Sequence, residues 1–253
     1  MSASSGIVAA AVVPGTLLLL PEYAGRIDPI PAIRTAALAA VDAVVTAADR
    51  VVVVTAGDRE PRHTKGPAGA RIAATLLGEA PAEVVVVPWD APVAVCRALG
   101  AAITGAEAGG EGAADQAGGR WGLIIVADGS ATRTEKAPGH YDPRAHAYDE
   151  VWLTALRGVD VDALLALDAA VAEGVLALGR APLQVLAGAL GDGAAYTCGD
   201  ITTDDAYGVQ HAVALIRLRR SSLDCCRGGQ RVGDGVRVVQ VEPDQRADRK
   251  SVV

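Results

Sequence analysis

Unbroken apolar runs alternate along this chain with segments in which apolar residues recur at helical spacing. Runs rich in β-branched residues are typical of strands buried on both faces of a sheet, whereas the recurring pattern is typical of helices. The predicted strands are Ile7–Val13, Val51–Thr55, Glu83–Val87, Trp121–Ala127 and Tyr207–Leu218. The predicted helices are Pro31–Ala48, Pro92–Thr104, a helix opened by Asp142 and Pro143, Asp162–Leu178 and Gln184–Leu190. The pattern therefore predicts an α/β fold with a largely buried central sheet.

The character of the chain changes after Arg217, where Arg, Gly and Asp replace most of the bulky apolar residues. A segment with so little apolar surface cannot bury enough of it to order itself. We therefore predict one α/β domain at 5–218 and a disordered, dispensable C-terminal tail at 219–253. Within that tail, Gly235–Val241 is a weak candidate strand.

The composition argues against some partners and cellular locations. The chain has 253 residues and a net charge of -7, and this acidity disfavours nucleic acid, which is bound by clustered Lys and Arg. The four cysteines show no metal-ligand spacing, and free thiols fit a cytoplasmic protein. The apolar start of the chain lacks basic residues and is split by Pro14 and Gly15, so we predict neither a signal peptide nor a membrane span.

The segment Asp128–Asp149, directly after a predicted strand, brings acidic, basic, hydroxyl and imidazole side chains together in one stretch. Open α/β sheets bind ligands outside the carboxyl ends of their strands. Asp128 is therefore either a ligand-binding group or a turn cap that accepts hydrogen bonds from the Ser130 and Ala131 amides. The charged residues that follow form either a pocket rim or a solvated loop. They are Arg133, Glu135 and Lys136.

The histidines offer a second kind of chemistry. His140 and His146 could hold a metal ion together with Asp142 or Asp149, although surface histidines are more often bystanders. His211 lies within the last predicted strand, which favours a core histidine satisfied by the backbone.

Three segments carry a family resemblance: VVPGTLLLLPE near the start, VVVVTAGD after the first predicted helix, and VADGSATRTEKAPGHYDPRAHAYD. Together they resemble the class III extradiol ring-cleavage dioxygenases, and most of all the small LigB-like proteins of that superfamily, which also holds the MEMO proteins. The resemblance implies a three-layer α/β/α fold with a pocket over the sheet. It also implies Fe(II) held by two His and one carboxylate, with a further His as acid/base. Members often dimerise, so the resemblance makes a homodimer an expectation.

The positions that the resemblance assigns to these groups hold other residues here. Gly15 occupies the place of the first metal His, Thr55–Asp58 that of the second, and Asp128–Ala131 that of the acid/base His. The third ligand falls near Ala187-Gly188 or Gly199-Asp200, where only Asp200 has a donor atom. Because Gly and Ala side chains cannot bind a metal, we expect no iron and no ring cleavage.

A ligand site is still predicted where the strand ends at 14–16, 55–58 and 128–133 converge. Its predicted ligand-binding residues are Thr16, Asp58, Asp128, Ser130, Arg133 and Glu135, with Glu135 orienting Arg133. The catalytic candidates are Asp128, Ser130 and His140.

Two hypotheses of function fit these residues. The first is a LigB-like protein without iron or another cofactor, which binds a small ligand or a protein partner. The second is an active enzyme. It would be a non-haem Fe(II) dioxygenase with relocated ligands at His140, Asp142 and His146, or a metal-free hydrolase that uses Asp128 and Ser130.

Overall fold

The computed structural model describes residues 6–23, 25–59, 66–103, 119–193 and 195–219, together with the backbone of 237–240. Its strands are β1 (Gly6–Val13), β2 (Arg50–Ala56), β3 (Glu83–Val87), β4 (Arg120–Val126), β5 (Tyr196–Cys198), β6 (Thr202–Asp204), β7 (His211–Leu218) and β8 (Arg237–Gln240). They form a mixed sheet in the order β5-β7-β1-β4-β2-β3-β8, with β6 paired to β7. Strands β1, β4, β2, β3 and β8 run parallel, whereas β7 is antiparallel to β1, β5 and β6. The predicted α/β character is thereby confirmed.

Helices cover the sheet. They are α1 (Pro31–Ala47), α2 (Ala68–Leu77), α3 (Val93–Ile103), α4 (Ala145–Gly158), α5 (Val161–Leu165), α6 (Ala169–Gly174) and α7 (Arg180–Leu190). Alternate residues of β1 enter different hydrophobic clusters. Ala11 and Val13 pack with α1 and α2, while Ala10 and Val12 pack with α4 and α7. The sheet is therefore buried on both faces, as its unbroken apolar runs predict.

The predicted helix Asp162–Leu178 is wrong as a single element, because an aspartate in its middle starts a new helix. Asp160 caps α5 by accepting a hydrogen bond from the Ala163 amide at 2.9 Å. Asp168 caps α6 in the same way, accepting from the Val171 amide at 2.8 Å. Each cap satisfies an amide that the first helical turn leaves without a partner. The break between α5 and α6 shapes the wall of the cavity described below.

The carboxyl ends of β1, β4, β2 and β3 meet along one edge of the sheet, which we name the carboxyl edge. The antiparallel strand β7 starts at this same edge. It begins at His211 rather than at the predicted Tyr207, because Ala206–Gly208 forms a helical turn with Tyr207 at a φ of 58°. The chain leaves β1 towards α1, on one face, and leaves β4 towards α4, on the other. Neighbouring strands whose connections diverge in this way leave a crevice at their ends.

Strand β8 lies on the outer side of β3. It pairs in parallel, with Glu83 opposite Arg237 and Val86 opposite Gln240. This part of the predicted tail therefore belongs to the sheet, while 220–236 and 241–253 lie outside the described residues. Among the described helices, none has the length and apolarity needed to cross a membrane.

Candidate functional site

A carboxylate and an imidazole meet at the middle of the carboxyl edge. Asp128 follows β4, and His211 is the first residue of β7. The Asp128 Oδ1 and His211 Nδ1 atoms are 2.8 Å apart, a hydrogen-bond distance. His211 is 1% exposed and the Asp128 side chain is 19% exposed, so the pair has one buried member and one that solvent reaches. The prediction that the backbone satisfies His211 is wrong, since its partner is a carboxylate.

Opposing effects act on the His211 ring. Burial lowers the pKa of His211, whereas the hydrogen bond and negative charge of Asp128 raise it, with smaller contributions from Asp204 and Asp205. The balance leaves the pKa of His211 above its usual value. The surrounding carboxylates therefore favour the imidazolium form, and a proton is held between two side chains at the strand ends.

Glycines make room for this pair. A Cβ atom on Gly15, just after β1, would lie 3.2 Å from Asp128 Oδ2. A Cβ atom on Gly179, just before α7, would lie 2.3 Å from the Asp128 carbonyl oxygen. The Asp128 carboxylate thus occupies space that a larger side chain at position 15 would need. The predicted convergence of the segments 14–16 and 128–133 is observed at this point.

A second carboxylate, Asp149 on α4, accepts hydrogen bonds from polar groups of the loop that follows β4. It accepts hydrogen bonds from the Ser130 amide at 2.8 Å and the Ser130 hydroxyl at 2.6 Å. It also accepts from Arg133 Nη1 at 2.8 Å and from Trp152 Nε1 at 3.1 Å. Asp149 is 1% exposed and Ser130 is 0% exposed, so this cluster lies inside the protein. We name Ser130, Arg133, Asp149 and Trp152 the Asp149 cluster.

The Asp149 cluster corrects two expectations for the loop. Asp128 does not cap its own turn, because the Ser130 amide bonds to Asp149 and the Ala131 amide bonds to the Val175 carbonyl. Ser130 is also unsuited to act as a hydrolytic nucleophile, because its hydroxyl is buried and donates to a carboxylate rather than to an imidazole.

Arg133 connects the Asp149 cluster to the His211 side of the edge. Its Nε lies 3.7 Å from Asp205 Oδ2, close enough for an ion pair, and this buried nitrogen makes no hydrogen bond to any described residue. Asp205 is one of the carboxylates that raise the pKa of His211. Glu135 was predicted to orient Arg133, but Asp149 does so, and Glu135 is exposed.

Thr16 and Asp58 lie at the carboxyl edge as predicted, but their side chains fix local turns. The Thr16 hydroxyl accepts from the Leu18 amide at 3.4 Å. Asp58 Oδ1 accepts from the Ala68 amide at 3.1 Å, at the first residue of α2. Their oxygens therefore support the loops around the crevice.

The weak metal candidates are on the surface. His140 and His146 are exposed, and Asp142 is occupied by Arg144 at 2.6 Å. The hydrogen bonds from Arg144 lower the pKa of Asp142 to about 2. Asp200, the remaining candidate ligand, is exposed between β5 and β6. Across the described part of the chain, no three His, Cys, Asp or Glu residues are grouped as a metal site.

A cavity of about 280 Å³ lies at the carboxyl edge, beside the ends of β2 and β3. Its polar lining comes from Arg59, Trp89, Asp90, Glu173 and Arg180. Its apolar lining comes from Ala169, Ala170, Ala172, Ala177 and Leu178. None of the residues predicted for a ligand site lines this cavity. Arg59 and Trp89 follow strand ends just as Asp128 does, so the same rule could have found them.

No protein-family model matches this sequence, and its comparison with curated proteins finds no significant match.

Proposed function

We propose that this chain is a LigB-like protein with a three-layer α/β/α arrangement, which lacks the iron of ring cleavage and binds a small ligand at the carboxyl edge. The observation that supports this most is the contact of Gly15, Asp128 and His211. Gly15 stands where the family resemblance expects a metal-binding His, and Asp128 fills the space beside it. In this proposal, a carboxylate hydrogen-bonded to a buried imidazole lies beside the position where the family would place its first metal ligand.

Iron chemistry of the LigB type needs two imidazoles and a carboxylate on one face of the metal. Gly15 offers no donor atom, and the Asp128 carboxylate is committed to His211 through Oδ1. The relocated set of His140, Asp142 and His146 is a weaker alternative, since Arg144 neutralises its carboxylate. Binding without a metal is the function that these residues favour.

Asp128 supplies the polar end of the proposed crevice. Its Oδ2 atom faces Gly15, while His211 fixes the carboxylate through Oδ1. A ligand that donates a hydrogen bond can therefore meet an acceptor whose orientation is already set, which lowers the entropic cost of binding. Gly15 leaves the space beside this acceptor free of a side chain.

Metal analysis and a ring-cleavage assay test the proposal. Purified protein, and protein loaded anaerobically with Fe(II), should hold far less than one iron per chain and should not cleave catechol. Gly15→His is the informative variant, because it restores a potential ligand but crowds Asp128. Near-stoichiometric iron with catechol cleavage in the wild-type protein would refute the proposal.

A further inference from the structure

We propose that the cavity at the ends of β2 and β3 binds a small organic monocarboxylate through Arg180. This inference rests on the proposed function, because it names the class of ligand that the carboxyl edge accepts. It depends on different residues from the Asp128–His211 pair, so the two proposals can fail separately.

Arg180 is a buried cation with neutral partners. It is 4% exposed and lines the cavity. Its Nη1 donates to Gln184 Oε1 at 2.7 Å, and its Nη2 donates to the carbonyls of Trp89 at 3.2 Å and Ala91 at 3.0 Å. Among the described residues, no carboxylate lies within ion-pair distance of this guanidinium. A buried charge without a direct ionic partner is costly, and an anion bound against the guanidinium would supply that partner.

The guanidinium is held in place before any ligand arrives. Gln184, its partner on α7, donates through Nε2 to the carbonyls of Leu165 at 3.0 Å and Leu167 at 3.2 Å. The chain that joins α5 to α6 therefore fixes Gln184, and Gln184 fixes Arg180. Arg180 has five N–H groups, and its hydrogen bonds to Gln184, Trp89 and Ala91 use three of them. The remaining two are available for charge-assisted hydrogen bonds to a carboxylate.

The charge of Arg180 acts on its surroundings. Burial raises the pKa of the Tyr148 hydroxyl, and Arg180 opposes that rise. The same opposition applies to Cys96, whose thiol pKa is raised by burial and lowered by Arg180. The Arg180 charge therefore acts on two buried neighbours, in keeping with its own burial.

The rest of the lining selects the kind of anion. Asp90 and Glu173 bring negative charge to the cavity, which disfavours a multiply charged ligand such as inorganic phosphate. Arg59 lies 5.1 Å from the Trp89 ring centroid and 3.4 Å from Glu173, so its charge is already shared. The apolar wall accommodates a short hydrocarbon body. The cavity volume of about 280 Å³ is enough for a small organic molecule. A singly charged carboxylate with a short apolar chain fits this lining.

Pentanoate is a suitable probe, with pentylamine as the cation of equal length and inorganic phosphate as the multivalent anion. Trp89 lines the cavity, whereas Trp121 and Trp152 are 6% and 0% exposed elsewhere in the core. At constant ionic strength, pentanoate should change tryptophan emission and raise the melting temperature, and the other probes should do neither. The emission change should disappear in Trp89→Phe.

Variants locate the binding. Arg180→Gln should weaken pentanoate binding by about tenfold or more, because a charge-assisted pair is lost. Arg120→Gln is the matched control, since Arg120 starts β4 at the opposite edge and pairs with Asp49, and it should bind as the wild type does. If Arg180→Gln does not fold, Ala170→Phe provides the test, because it fills the cavity from an exposed position on α6.

The outcomes separate the two proposals. The carboxylate inference would be overturned if pentanoate does not bind, if phosphate or pentylamine binds equally well, or if pentanoate binding is unchanged in folded Arg180→Gln. If Arg180→Gln does not fold, unchanged binding in Ala170→Phe would overturn it. If the wild-type protein also lacks iron and ring cleavage, the proposed function stands. Stoichiometric iron with catechol cleavage would refute the proposed function, whatever pentanoate does.

Discussion

Asp149 is the residue on which the loop after β4 depends. Replacing it with Asn leaves the shape nearly unchanged, but Arg133 loses its buried counter-charge and Ser130 loses a strong acceptor. We expect Asp149→Asn to lower the free energy of unfolding by about 3 kcal/mol in urea titrations. Asp205→Asn is the control, because this exposed partner of the same Arg133 should matter by less than about 1 kcal/mol. Equal losses in the two variants would contradict a central role for Asp149.

The Asp128–His211 pair should make stability depend on pH. The folded pKa of His211 is raised above its unfolded value of about 6.5. Stability from such a group is fully present below the unfolded pKa and is lost as pH rises through the folded pKa. The gap in unfolding free energy between wild type and Asp128→Asn should therefore be larger at about pH 6 than at about pH 9. Urea titrations measure the gap, and an NMR titration of the His211 ring gives its pKa. A gap that does not change with pH would contradict the expectation.

The sequence predicts which residues lie at strand ends, but it does not predict which of them form hydrogen bonds with one another. Asp128 stands out because it directly follows an apolar run, and open sheets use such positions. Its partner His211 lies 83 residues away and comes from an antiparallel strand, which no local pattern reveals. The sequence does not distinguish Asp149 from the other charged residues of its segment, since burial of a single helical aspartate depends on what packs against that helix.

Among the elements, α3 and α7 pack through glycines. A Cβ atom on Gly100 would lie 2.1 Å from the Val185 carbonyl oxygen, and one on Gly188 would lie 2.4 Å from the Arg97 carbonyl oxygen. Gly100→Ala should therefore push the helices apart and destabilise the protein by about 2 kcal/mol or more. Gly158→Ala is the control, because a Cβ there meets nothing within 4 Å, and it should be neutral or slightly stabilising. Thermal unfolding of the two variants checks this, and similar melting temperatures would contradict the close packing.

Strand β8 should contribute to the stability of the sheet. A chain ending after residue 240 keeps the pairing of β8 with β3, whereas one ending after residue 236 loses it. The shorter chain should melt several degrees lower, since each ladder bond adds about 1 kcal/mol and each kcal/mol corresponds to about 2–4 °C at this size. It should also aggregate more readily because β3 becomes an open edge. Equal melting temperatures would show that β8 contributes little.

The periodic elements were predictable and the irregular ones were not. The predicted ends of the first four strands agree with the structure to within one residue, because unbroken β-branched runs are a strong signal of strands. Helix α2 was missed, since its segment follows a charged loop and carries small residues such as Gly69. Gly69 is required there, because a Cβ would lie 1.8 Å from the Thr55 hydroxyl. Close packing between elements thus depends on glycines, which a prediction from hydrophobic periodicity does not take into account.

For the whole molecule, the fold class followed from the order of elements, but the position of the cavity did not. The cavity depends on how α6 sits over the ends of β2 and β3, and that follows from the Asp168 cap that splits a predicted helix. The expected crevice at the carboxyl edge is occupied in part by the Asp128–His211 pair, so the open space lies beside it. Ligand screening of this protein should therefore begin with probes that reach Arg180 as well as Asp128.

The position of β1 has a consequence for how the chain is made. This strand is synthesised early but lies between β4 and β7, which begin at Arg120 and His211. Until both have left the ribosome, an apolar strand of the nascent chain keeps unpaired backbone groups on at least one side. Contacts so distant in sequence slow folding and lengthen exposure to aggregation. We expect translation products that stop before His211 to be insoluble without a chaperone, even though they contain most of the parallel strands.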